Sequence, residues 1–124
     1  MLTREKVLSM KPGRELDALV AKKVMKWEYF PAQVTDTFVR LDYFFDPLSG
    51  EAHHHWSPSA DISAAWEVVE KLSPRFMQLT RRHGDLWWCE FYGGWPVEAQ
   101  TAAHAICLAA LLAVMDGEDE HGRD

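Results

Sequence analysis

Residue types capable of chemistry are densest where His53-His54-His55 runs into Trp56-Ser57-Pro58-Ser59-Ala60-Asp61. Consecutive histidines suggest a metal, but they cannot readily surround one ion. On a strand, His53 and His55 share a face while His54 points away. A site built on His53 and His55 needs a further ligand, such as His83, His104 or Asp61, and no His-Glu-x-x-His or Cys-x-x-Cys spacing accompanies them. Metal binding is therefore not expected. Ser57, a nearby histidine and Asp61 supply the residue types of a hydrolytic triad. However, no Gly-x-Ser-x-Gly elbow surrounds the serine, and Asp61 is better explained as a helix cap. The expectation is a protein that does not turn over a substrate and needs no cofactor.

Binding is the more economical reading of the same stretch. Trp56 offers an aromatic face, and His55, Ser57, Ser59 and Asp61 offer hydrogen-bonding groups beside it. Aromatic faces with a few aimed polar groups are what a base or other planar ligand requires. Trp95 follows Gly93-Gly94 in a second non-periodic stretch and joins the candidate ligand-binding set. Gly93-Gly94 lacks the Gly-x-x-x-x-Gly-Lys-Ser/Thr context of a phosphate loop, so a nucleotide phosphate would meet Arg40, Arg75, Arg81 or Arg82. Each of these arginines is by default a solvated strand residue.

The elements that position these residues follow from periodicity and punctuation. Thr3 caps a short helix with Val7 and Leu8 facing inward, and Met10-Lys11-Pro12-Gly13 breaks it. A second helix runs from Pro12 to about Lys26 on the stripe Leu16, Leu19, Val20 and Val24, followed by a loop from Trp27, which plugs the core, to Asp36. Thr37 to Phe45 predicts a strand with Val39, Leu41, Tyr43 and Phe45 inward; Asp46 to Gly50 is a turn and Glu51 to Trp56 a returning segment. The central helix spans about Asp61 to Leu72, burying Ile62, Ala65, Trp66, Val69 and Leu72, and Ser73-Pro74 ends it. Arg75 to Arg81 and Leu86 to Tyr92 form a hairpin with Met77, Leu79, Trp87, Cys89 and Phe91 inward. A helix from about Ala102 to Met115, capped by Thr101, is apolar over more than half its circumference and so must be largely covered.

This order predicts an α+β fold, an α-β-α sandwich whose mainly antiparallel sheet is covered by helices on both faces. The chain has 124 residues, enough for one domain over residues 1–115, followed by an acidic tail over 116–124 that is expected to be disordered. Of the formal charge of −6, most lies in that tail, so the body lacks the basic footprint of a duplex nucleic-acid binder. Cys89 and Cys107 read as buried free thiols of a reducing compartment, no segment is apolar enough to span a membrane, and a cytoplasmic protein is expected. The six tryptophans exceed what a core of this size needs and suit interfaces, so self-association into a homo-oligomer is expected.

Three segments carry a resemblance: Pro12-Gly13-Arg14-Glu15-Leu16-Asp17-Ala18-Leu19-Val20-Ala21, Ser59-Ala60-Asp61-Ile62-Ser63-Ala64-Ala65-Trp66-Glu67-Val68-Val69-Glu70-Lys71-Leu72, and Ala105-Ile106-Cys107-Leu108-Ala109-Ala110-Leu111. In this order they resemble the phage ABA sandwich domain family. The resemblance implies an α-β-α sandwich, a place in the host cytoplasm and an accessory role. By analogy of fold, that role is a non-catalytic binding module that sequesters a nucleotide-type immune signal of the host. The alternative is an interaction module that docks on a host or phage protein through exposed tryptophans.

Overall fold

A computed structural model of the chain describes residues 2–72 and 77–122. Helix α1 (Arg4–Leu8) is capped by Thr3, whose hydroxyl accepts the Lys6 N–H at 3.1 Å. One turn can bury only one of two successive side chains: Val7 is buried, and Leu8, expected inward, is exposed. Helix α2 (Arg14–Val20) continues as a π-turn over Ala21–Met25 and stops at Lys26, whose φ of 63° is left-handed. Its stripe is as the spacing predicts, with Leu16, Val20 and Val24 buried and Leu19 half-buried, and Trp27 closes the core beyond it.

The stretch after Trp27 holds more strand than the sequence suggests. β1 (Glu28–Phe30) leads into a two-stranded ribbon, β2 (Gln33–Val34) and β3 (Val39–Arg40), and then come β4 (Tyr43–Asp46) and β5 (Glu51–His53). β1, β4 and β5 make one antiparallel sheet with Tyr29 opposite Phe44 and Phe44 opposite His53. The single strand expected over Thr37 to Phe45 is corrected: it breaks between Arg40 and Tyr43, and its other face turns inward. Phe44 is wholly buried, while Val39 and Leu41 are exposed. The misleading signal is Asp42, a polar residue on the inward face, which Arg14 and Tyr29 hold there.

Helix α3 (Ile62–Lys71) starts on Asp61, whose carboxylate accepts the Ser63 N–H at 3.1 Å. Of the expected stripe Ala65 is buried and Val69 and Leu72 are half-buried against the core, but Ala64 and Val68 take the central places, and Ile62 and Trp66 are left 49% and 48% exposed. The face is rotated because α3 packs on another helix at close range, where small side chains fit. The expected helix stop at Ser73-Pro74 and the strand start at Arg75 lie outside the described residues.

β6 (Met77–Arg81), β7 (Trp87–Phe91) and β8 (Val97–Ala99) form the second three-stranded antiparallel sheet, in which Leu79 lies opposite Cys89 and Cys89 opposite Val97. β8 falls where only a connecting loop is legible. Helix α4 (Ala102–Gly122) begins at Thr101, whose hydroxyl accepts the His104 N–H, and runs past the stop expected at Asp116-Gly117. Every residue from Ala105 to Ala113 is buried, as its all-round apolarity predicts.

The result is an α+β sandwich of antiparallel sheets and helices in which α4 is the central element. It packs against β7 and β8 on one side and against α1, α2 and α3 on others. On the β6–β8 sheet Cys89, Phe91, Val97 and Ala99 are buried, while Gln78, Thr80 and Glu98 are exposed and Trp88 and Glu90 are half-buried. Among the described residues no helix is long and apolar enough to cross a membrane.

Gly94 lies close against the backbone of α4. A Cβ placed there would sit 3.0 Å from the Ala113 Cα and 3.2 Å from its backbone nitrogen. Gly94→Ala is expected to lower stability by about 1–3 kcal/mol through this overlap, read as a lower denaturation midpoint in urea.

Candidate functional site

The loop from His54 to Asp61 enters α3 on a set of hydrogen bonds that consume most of its polar groups. Trp56 is 5% exposed, tilted against Trp27 at 4.7 Å and edge-on to Phe44 at 5.3 Å. Its indole N–H donates to Glu67 at 2.7 Å, and its backbone carbonyl accepts from the Arg14 guanidinium at 2.5 Å. Ser57 accepts the Asp61 and Ala60 N–H groups through its carbonyl and faces Arg14 with its hydroxyl at 3.4 Å. Ser59 is 1% exposed; its N–H donates to Asp17 at 2.9 Å, and its hydroxyl accepts the Gly13 N–H at 2.9 Å.

Two residues that organise this loop escape the sequence reading. Asp17 is 2% exposed on the core side of α2, and Arg14, one turn earlier, lies 3.4 Å from it. Arg14 also pairs with Asp42 at 2.5 Å, and the Tyr29 hydroxyl donates to the same Asp42 oxygen at 3.0 Å. An aspartate inside the apolar run Leu16-Asp17-Ala18-Leu19-Val20 was the available signal, since a carboxylate there must find donors.

Burial pushes the Asp42 carboxyl upward, but the hydrogen bonds from Arg14 and Tyr29 outweigh it, and the group titrates below the ordinary carboxylate range. A depressed folded value means that the contribution to stability is complete above the unfolded value and is lost as pH falls through the folded one. The stability difference between the wild type and Asp42→Asn is therefore expected to be largest above about pH 5 and to shrink on acidification, as measured by thermal midpoints across pH.

Of the predicted set, Trp56, His55 and Asp61 line one recess, together with His53, His54, Ser63, Ala64 and Glu67; its volume is about 330 Å³. Ser57, Ser59 and Trp95 do not line it. His55 is exposed with a left-handed φ of 60°, and Trp95 is 44% exposed beneath the Arg4 guanidinium, 3.8 Å from its ring. His53 stacks flat on Trp27 at 4.2 Å, so it belongs to the core edge. Among the described residues no three His, Cys, Asp or Glu side chains are placed to hold a metal. The recess contains the carboxylates of Asp61 and Glu67 and no lysine or arginine, so it disfavours a phosphate. Of the arginines expected to meet one, Arg40, Arg81 and Arg82 do not line it, and Arg75 lies outside the described residues.

A larger groove, of about 520 Å³, lies between α1, α2 and β1. Leu2, Met10, Ala18, Leu19, Trp27 and Tyr29 form its walls. Lys6 and Lys22 stand at its rim with Glu15 and Glu28. Periodicity accounts for these side chains as helix stripe or solvated face, which is why the groove is invisible in the sequence.

The architecture agrees with known proteins. The phage ABA sandwich domain family matches residues 18–111. The chain belongs to this family. The match runs from α2 through the loop, α3 and both sheets into α4, and begins just after Asp17. The chain is also similar to the crystal structure of a phage protein from Bacillus cereus ATCC 14579, with 27% identity over 85% of this chain and 93% of that one and a TM-score of 0.59. No curated protein matches it. In this phage ABA sandwich domain both thiols are free and buried. Burial pushes Cys89 up to about 12 and Cys107 higher still, so neither is a nucleophile near neutral pH.

Proposed function

We propose that this phage ABA sandwich domain is a non-catalytic binding module that captures a nucleotide-type small molecule, in its sharpest form a host immune signal, in the groove between α1, α2 and β1. The observation that supports this is the groove's division of labour. Apolar and aromatic walls suit the faces of a base, the carboxylates of Glu15 and Glu28 suit its amino edge, and the ammonium groups of Lys6 and Lys22 suit a phosphate. Its volume lies within the range of small-molecule sites. Binding without turnover fits the loop's polar groups, which are engaged in holding the fold.

The test is thermal melting of the pure protein with a panel of nucleotides and cyclic nucleotides. A ligand at about a hundred times its Kd raises stability by about 2.7 kcal/mol, which shifts the midpoint by several degrees. Lys6→Glu and Lys22→Glu, on exposed side chains, should abolish the shift and leave the unliganded midpoint unchanged, while His54→Ala should retain it. A panel with no shift, or a shift that survives both lysine variants, would overturn the reading.

One observation favours a second reading. Ile62 and Trp66 lie one turn apart on the exposed face of α3, and an exposed tryptophan beside an aliphatic neighbour is a common anchor for a protein partner. Docking on a host or phage protein predicts a retained partner on pull-down that Trp66→Ser releases, with no response to the nucleotide panel.

A further inference from the structure

The connection between α1 and α2 borders a second cavity, of about 440 Å³, which is not separate from the groove. Lys6, Met10 and Glu15 line both. The two therefore form one depression with two compartments, apolar beside β1 and polar along the connection.

The compartments differ in charge. In the groove Lys6 and Lys22 are matched by Glu15 and Glu28, so its lining is neutral. Around the second cavity the cations are Lys6, Lys11 and Arg14, against the single carboxylate of Glu15. Arg14 is already held by Asp42, Asp17 and the Trp56 carbonyl. With it set aside, Lys6 and Lys11 still outnumber Glu15, and neither has an ion-pair partner among the described residues. Both are exposed, so their ammonium groups can turn to a ligand without breaking an ion pair.

The walls are set in advance. The His104 ring donates from Nε2 to the Met10 carbonyl at 2.8 Å, which ties the shared wall to α4. The Ser59 hydroxyl accepts the Gly13 N–H at 2.9 Å, which ties the far end to the loop before α3. Pro12 restricts the backbone between them. A site held in this way loses little freedom when a ligand enters.

We infer that the second cavity is an anion subsite of the groove, and that the ligand is a nucleoside oligophosphate whose outer phosphates extend past Lys6 to Lys11. This rests on the reading of the groove as a nucleotide site and adds the class of nucleotide. A monophosphate places no charge in the second cavity. A phosphate chain carries its negative charge out of the neutral compartment into the positive one, where Coulomb attraction favours it.

Calorimetric titration of the full chain with nucleosides, nucleoside monophosphates and nucleoside triphosphates, at low salt and without divalent cations, tests this. For a base that binds, the triphosphate is expected to bind about tenfold more tightly than the monophosphate, the size of one charge-assisted contact. Lys11→Glu should erase that increment, so that the two bind alike. Lys71→Glu, which changes the net charge equally at the exposed end of α3, should keep it. The amide signals of Ser9 and Lys11 should move with the triphosphate and stay still with the monophosphate. A monophosphate bound as tightly as the triphosphate would overturn the inference and leave the groove reading intact. So would an increment that survives Lys11→Glu, or one lost equally in Lys71→Glu. No response to any nucleotide would overturn both.

Discussion

Trp56→Ala is expected to cost about 3–5 kcal/mol of stability and to lower the melting midpoint by roughly 10–20 °C. The residue looks like a ligand platform in the sequence, but it is a keystone in the structure. Its ring is enclosed by Trp27 and Phe44, which belong to the end of the α2 segment and to β4, and its N–H reaches Glu67 on α3. Truncation opens a cavity where these elements meet, and the rigid rings around it cannot collapse to fill it. Two milder variants separate packing from polarity. Trp56→Phe keeps an aromatic ring and loses the bond to a solvent-exposed carboxylate, a loss of about 1 kcal/mol beyond the ring's smaller size. Glu67→Gln keeps an acceptor and should be nearly silent. A Trp56→Ala protein that melts within a few degrees of the wild type would show that the indole is not a core residue, and would reopen it as a ligand surface.

This also governs how ligand experiments are designed. A thermal shift lost in Trp56→Ala would report a damaged fold as readily as a damaged site. The rim lysines of the groove avoid that ambiguity because their side chains are exposed and removing their charge leaves the core intact.

The sequence is most legible where one physical signal dominates. Thr3, Asp61 and Thr101 were readable as caps because a short polar side chain before an apolar period has an N–H to satisfy, and all three do so. α4 was readable as buried because no polar face interrupts it. Errors arise where two signals compete. Trp66 and Ile62 dominate the amphipathicity of α3 by size, yet Ala64, Ala65 and Val68 face α4, since close helix contact favours small residues over large ones. Asp42 falls on the strand face that the apolar pattern turns outward and Asp17 interrupts an apolar run, yet both turn inward to meet donors from distant segments, Arg14 and Tyr29 for the first and Ser59 for the second. Long-range polar partners leave no local period. The groove shares this difficulty, since its walls come from α1, α2 and β1, each explicable alone as ordinary packing.

Asp17→Ala is expected to be the second most damaging single change, at about 3 kcal/mol. The carboxylate is nearly inaccessible and holds the Ser59 N–H, itself within a buried loop. Removing it leaves that donor without a partner where water does not easily reach, and it takes away one of the two carboxylates facing Arg14, the other being Asp42. The remaining Arg14–Asp42 pair keeps the guanidinium from becoming an uncompensated charge, which places the expected cost at the lower end for a broken buried pair. Asp17→Asn separates the contributions: its side-chain carbonyl still accepts from Ser59, and only the charge facing the partly exposed Arg14 is lost, so about 1 kcal/mol is expected. The local signature is as informative as the midpoint. Amide exchange at Ser59 should accelerate strongly in Asp17→Ala and little in Asp17→Asn, because that N–H is protected by this one acceptor. The Gly13 amide, held by the Ser59 hydroxyl, should follow Ser59, since the same loop carries both bonds. Equal exchange at Ser59 in all three proteins would mean that the loop before α3 is held by something other than the clasp between Asp17 and Ser59.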